Sequence, residues 1–157
     1  MSQFIRNFDG KKGKCDFPLF GKEVTITAEE APLEYAEKCA EYIAKLPDSV
    51  IDRLCEASIR YCESVRQYFE EEAIDIPANI SGRDILSYVR LGSVYVPYPQ
   101  GEGIGFEVFL SCTWEQEHGL EWTIRDSKVL YVGANNVVSP WIGKDDYQNE
   151  WNYAIVR

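Results

Sequence analysis

The sequence has a single histidine, no C-x-x-C pair among its five cysteines, and no H-x-x-x-H or D-x-D-x-D spacing. Most metal centres in proteins draw on several histidines or on closely spaced cysteine pairs, so neither a metal nor another cofactor is expected. No window approaches the ~18 apolar residues of a membrane span, and residues 1–14 lack the apolar core of a signal peptide. The expected location is the cytoplasm, with no membrane partner. An odd cysteine count, at Cys15, Cys39, Cys55, Cys62 and Cys112, fits reduced thiols there better than a disulfide framework. Positive charge is also scarce, with 16 Lys and Arg against 26 Asp and Glu and a net charge of -10. A polyanion would be repelled over most of such a surface, which argues against nucleic acid. A basic protein would be attracted and its encounter accelerated. The run Gly101-Glu-Gly-Ile-Gly105 imitates a phosphate loop but lacks the lysine and the following helix.

What is present describes a folded chain. Apolar residues make up 45% of the 157 and aromatic residues 13%, enough for one domain with one core. Residues 1–14, with Gly10 and Gly13, read as a mobile arm or irregular lead-in. Residues 15–27 read as a β-hairpin, because Phe17, Leu19, Val24 and Ile26 alternate about Gly21. Thr27 and Glu30 have capping-box spacing, and a helix with stripe Leu33, Ala36, Ala40, Ile43 runs until Pro47. Asp48 then serves as N-cap for a longer amphipathic helix carrying Ile51, Leu54, Cys55, Ile59, Cys62, Val65 and Phe69. The short link makes residues 28–72 an antiparallel helix pair. Residues 83–133 read as an antiparallel sheet, with strands at Ile85–Val96, Phe106–Cys112, Leu120–Arg125 and Lys128–Val132 and a tight turn at Asp126-Ser127. An aromatic tail, residues 134–157, follows. Grouped helices with grouped strands give an α+β fold.

The most distinctive stretch runs from Cys112 to Trp122 and holds Trp114, Glu115, Glu117, His118 and Gly119. Its functional readings are a metal site, a carboxylate acid–base pair, or a Cys112–His118 nucleophile. Its structural reading is a turn between strands, with Trp114 and Trp122 on the sheet, Gly119 at positive φ, and His118 bonded to a neighbouring glutamate. The structural reading needs fewer partners, so no catalytic residue is assigned. The buried-hydrophobe role is favoured for the helical cysteines. Tyr95, Tyr98, Trp141, Asp145, Asp146, Tyr147 and Trp151 mix aromatic anchors with acidic neighbours and are the partner-binding candidates. Completing the core is the equal alternative for their rings.

At Cys112, Trp114, Glu117, His118, Gly119 and Leu120, followed by Tyr131-Val132-Gly133, the chain resembles a bacterial family of small uncharacterised proteins with a Cys-x-Trp-x-x-Glu-His-Gly-Leu signature. The resemblance implies an α+β domain of unassigned activity, similar in size and acidity to immunity proteins that neutralise toxins. The expectation is therefore a non-enzymatic acidic binding protein whose partner is a protein such as a basic toxin or effector. The alternative is a small enzyme or metal-dependent protein centred on Glu117 and His118.

Overall fold

Strand alternation and a glycine-ended turn build the first hairpin as the sequence suggests. In the computed structural model, which describes residues 4–68, 75–143 and 151–156, β1 (Lys12–Phe17) pairs antiparallel with β2 (Lys22–Thr27). Cys15, Phe17, Val24 and Ile26 point into the core. A 3-10 turn over Pro18–Phe20 ends at Gly21, whose φ of 64° is the left-handed conformation a glycine adopts without steric cost. Ahead of β1, the described part of residues 1–14 is the irregular lead-in of the two readings, and it lies against the core. Ile5 is buried, Arg6 bridges Lys14, and the backbone N–H groups of Phe4 and Ile5 donate to the Glu37 carboxylate at 3.0 and 3.1 Å. Gly13 is there for close approach rather than freedom: a Cβ would stand 2.7 Å from the Ile5 side chain.

The helices are α1 (Leu33–Ala44) and α2 (Asp48–Tyr68). Neither capping expectation holds as written. Thr27 still belongs to β2, and α1 starts from Pro32, whose carbonyl accepts from Tyr35 and Ala36 without any side-chain cap. In α2 the carbonyl of Pro47 does the same for Val50 and Ile51, so Asp48 is the first helical residue. Its carboxylate pairs with Arg83 at 2.9 Å, and its charge suits the positive end of the helix dipole. The buried faces are rich in small side chains, Ala36, Cys39 and Ala40 on α1 and Cys55, Ala57, Ser58 and Cys62 on α2. Small residues let helix axes approach a sheet closely. α1 lies against β1, and α2 against β6 and a 3-10 segment at Gly82–Tyr88.

That 3-10 segment takes Ile85–Tyr88 away from the strand expected at Ile85–Val96, and β3 is Val89–Tyr95. With β4 (Gly105–Cys112), β5 (Leu120–Arg125) and β6 (Lys128–Gly133) it continues the hairpin into one six-stranded sheet, in order β1 to β6. Every neighbouring pair is antiparallel except β2 and β3, which run parallel through Thr25–Thr27 and Ser93–Tyr95. A parallel pair needs a crossover, and the two helices supply it. The sheet therefore starts at residue 12 rather than 83, while the α+β class stands. Phe106, Val108 and Leu110 of β4 pair with Ile124, Trp122 and Leu120 of β5, all of them core residues. The Trp122 indole donates to Ser58 Oγ at 3.0 Å, tying β5 to α2. Asp126 and Ser127 both have positive φ, 51° and 70°, the signature of the type I′ hairpin turn.

Candidate functional site

The distinctive turn is organised by Glu115. Its Oε1 accepts from the backbone N–H groups of Glu117 and His118 at 3.2 and 3.4 Å, and its Oε2 lies 2.9 Å from His118 Nδ1. Its own carbonyl accepts from Gly119 N and from the Cys112 thiol. Gly119 has a φ of 65°, and a Cβ there would come 2.5 Å from Asn135 Nδ2 and 2.8 Å from the Leu110 carbonyl. Trp114 is buried edge-on against Tyr61, whose hydroxyl donates to the Gly119 carbonyl at 3.0 Å. His118 partners Glu115, not Glu117, and both the imidazole and Glu117 are exposed. The bond to Glu115 raises the imidazole pKa. For Glu115, burial works upward, but its bonds to the His118 ring and to backbone N–H groups outweigh it and hold the carboxyl below its ordinary value. The Cys112 thiol is 4% exposed and pushed up to about 12, chiefly by burial, which leaves it no thiolate to attack with. Among the described residues, no three His, Cys, Asp or Glu side chains converge as metal ligands would.

A second acidic pair lies on the opposite face of β4 and β5, where the chain that follows β6 folds over one of the two. Glu121 is fully buried, and its carboxylate accepts backbone N–H groups from Asn136 (2.8 Å), Val137 (2.7 Å) and Val138 (2.7 Å). Three successive amides can converge on one anion only if the backbone curls, and Val137 adopts a φ of 50° to do so, a costly conformation for a β-branched residue. Thr123 Oγ1 lies 2.9 Å from the Val138 carbonyl, and Arg125 donates to the Pro140 carbonyl at 2.8 Å. Beside this cradle Glu107 is 1% exposed, and its Oε1 has no hydrogen-bond partner. Burial, with a smaller push from the charge of Glu121, raises its pKa to about 8. Sequence reasoning missed both glutamates because alternate polar residues in a strand look like a solvated face.

The partner-binding candidates separate in space. Trp141 packs over Gly101 and Gly105 with the Arg125 guanidinium 5.7 Å from its ring centre. Tyr95 is half-buried on β3 at the register position opposite Glu107, and Tyr98 is exposed in the loop beyond. Asp145, Asp146 and Tyr147 lie outside the described residues. Trp151 is elsewhere, at the free edge of β6. There Asn152, 1% exposed, accepts from Val132 N and donates to the Leu130 carbonyl at 2.7 Å, while Tyr153 N bonds to the Val132 carbonyl. Tyr153 also stacks on Tyr61 at 5.0 Å, its hydroxyl meets Ser64 Oγ at 2.9 Å, and its carbonyl accepts from Arg60.

Clamped this way, residues 151–154 leave a cleft of about 460 Å³ between α2, β6 and the start of the tail. Tyr61, Tyr68, Tyr131, Trp151 and Tyr153 line it, and so does Glu115 of the distinctive turn. Tyr68 and Trp151 are 74% and 56% exposed at its mouth. Of its aromatic residues only Trp151 stands among the sequence candidates. The available signal was the seven-residue interval between Tyr61 and Tyr68, which places both on one side of α2. A family model described as a domain of unknown function, DUF6985, matches residues 3–139. No curated protein and no solved structure matches the chain.

Proposed function

This chain belongs to the family described as a domain of unknown function, DUF6985, and for it we propose a protein-binding role. It is that of a bacterial cytoplasmic protein, immunity-like, which occupies a basic toxin or effector and blocks it. The observation that carries this reading is the aromatic cleft beside the distinctive turn, open at Tyr68 and Trp151. Two large apolar side chains exposed at the mouth of one concavity are what an interface anchor site needs. A net charge of -10 adds attraction for a basic partner. The nearby groups with chemical potential are otherwise engaged, Cys112 by burial and Glu115 by holding its turn. The alternative enzyme at Glu117 and His118 draws no support from a histidine paired with Glu115 instead.

The test is co-expression with each protein encoded beside this gene, combined with calorimetric titration of the purified pairs. Wild type should bind one of them and restore growth where that protein is toxic, and Tyr68→Ala with Trp151→Ala should lose both effects. Binding to none of them, with toxicity unchanged, overturns the proposal.

A further inference from the structure

The cleft has a chemistry more particular than apolarity. Among its described lining residues Glu115 is the one carboxylate; the others are aromatic, aliphatic, hydroxyl or amide side chains. Arg60, next to Tyr61 on α2, is committed to the Tyr153 carbonyl at 2.9 Å. Aromatic faces carry a negative quadrupole, and a carboxylate beside them completes a site for a desolvated cation. Among the described residues, Glu115 Oε2 is held by the exposed imidazole of His118, a bond that an incoming donor can share or replace.

We propose that the cleft lined by Tyr68, Trp151 and Glu115 receives an arginine side chain of the protein partner. This rests on the binding role above and names what that role recognises. Arginine suits the site better than lysine because its planar guanidinium can lie on a ring and present a fork of donors to the carboxylate together. The occupant is matched by charge: an acidic protein offers an aromatic cleft with a carboxylate wall, and a basic partner supplies the cation.

The test uses the whole chain, labelled with nitrogen-15 and titrated with N-acetyl-arginine amide or with its uncharged isostere, N-acetyl-citrulline amide. The arginine compound should shift the Trp151 indole and the His118 backbone signal, with citrulline binding at least about tenfold more weakly, since a charged hydrogen bond of this kind accounts for that ratio. Glu115→Gln should remove the difference between the two compounds, and Tyr68→Ala, at an exposed position that leaves the turn intact, should weaken the arginine compound severalfold. Equal response to both compounds, or none to either at tens of millimolar, overturns the proposal. The broader reading fails separately: if a protein partner is lost with Trp151→Ala but kept with Glu115→Gln, the cleft is an interface and arginine is not its ligand.

Discussion

Glu107→Gln should change how stability depends on pH, and the size of the change follows from where the side chain sits. Glu107 lies between Tyr95 of β3 and Thr123 of β5, 1% exposed, with one oxygen unbonded and Glu121 charged nearby. In the unfolded chain its carboxyl releases a proton at its ordinary value of 4.5, and in the fold it retains that proton to about 8. Between those values unfolding releases a proton, so rising pH favours the unfolded state. The contribution of this group is complete below about 4.5, declines by about 1.4 kcal/mol per pH unit, and is exhausted above about 8. Roughly 4 to 5 kcal/mol is at stake, a large share of a typical domain's stability. Urea unfolding of wild type and Glu107→Gln at half-unit steps from pH 4.5 to 9 measures it. The amide brings its own N–H groups into a buried site, which offsets the mutant curve by a constant. The slope is the diagnostic: the difference between the two proteins should grow in favour of the mutant as pH rises. Parallel curves would refute the account of Glu107 as a buried neutral acid.

Three other outcomes are expected. Val137→Gly should raise the unfolding free energy by about 1 kcal/mol, because Val137 is 68% exposed and its φ of 50° costs a β-branched residue but not a glycine; a lower midpoint in thermal unfolding would count against strain there. The His118 ring protons should titrate above the ordinary histidine value, and Glu115→Gln should bring that midpoint down, as followed by proton NMR. Because the folded pKa is the raised one, the bond's contribution is present below the unfolded value and fades as pH rises through the folded one. All five thiols should resist a disulfide reagent in the native protein at pH 8 and react in denaturant, since each is buried and raised, Cys15, Cys55 and Cys62 to about 11 and Cys39 and Cys112 to about 12.

The parts of the fold that sequence made legible are those fixed by neighbours in the chain. Alternation about Gly21, the helical stripes of α1 and α2, and the Asp126-Ser127 turn are local patterns with local causes. The parallel seam between β2 and β3 was out of reach because no local pattern specifies which edge a hairpin joins. For residues 1–14 a mobile arm and an irregular lead-in are equally compatible with the sequence, because Gly13 signals crowding by Ile5 as readily as it signals freedom. In the distinctive segment, the turn roles of Gly119 and of His118 with a glutamate could be read from spacing, whereas the choice of Glu115 over Glu117 depended on a turn geometry that spacing does not encode. The cleft assembles Tyr61, Tyr131 and Trp151 from three separate stretches, and the cradle of Glu121 depends on a segment that folds back over the sheet.

The sequential strand order also bears on how the chain reaches this state. β3 to β6 form by consecutive local closures, and β1 with β2 by another, so each half can assemble from short-range contacts. Among the strand pairs, the union of Thr25–Thr27 with Ser93–Tyr95 is the one that brings distant segments together. The loop-closure entropy of the sheet is concentrated in that one event. Helix formation in α1 and α2 shortens the span to be closed, which couples helix stability to the rate at which two partial sheets become one.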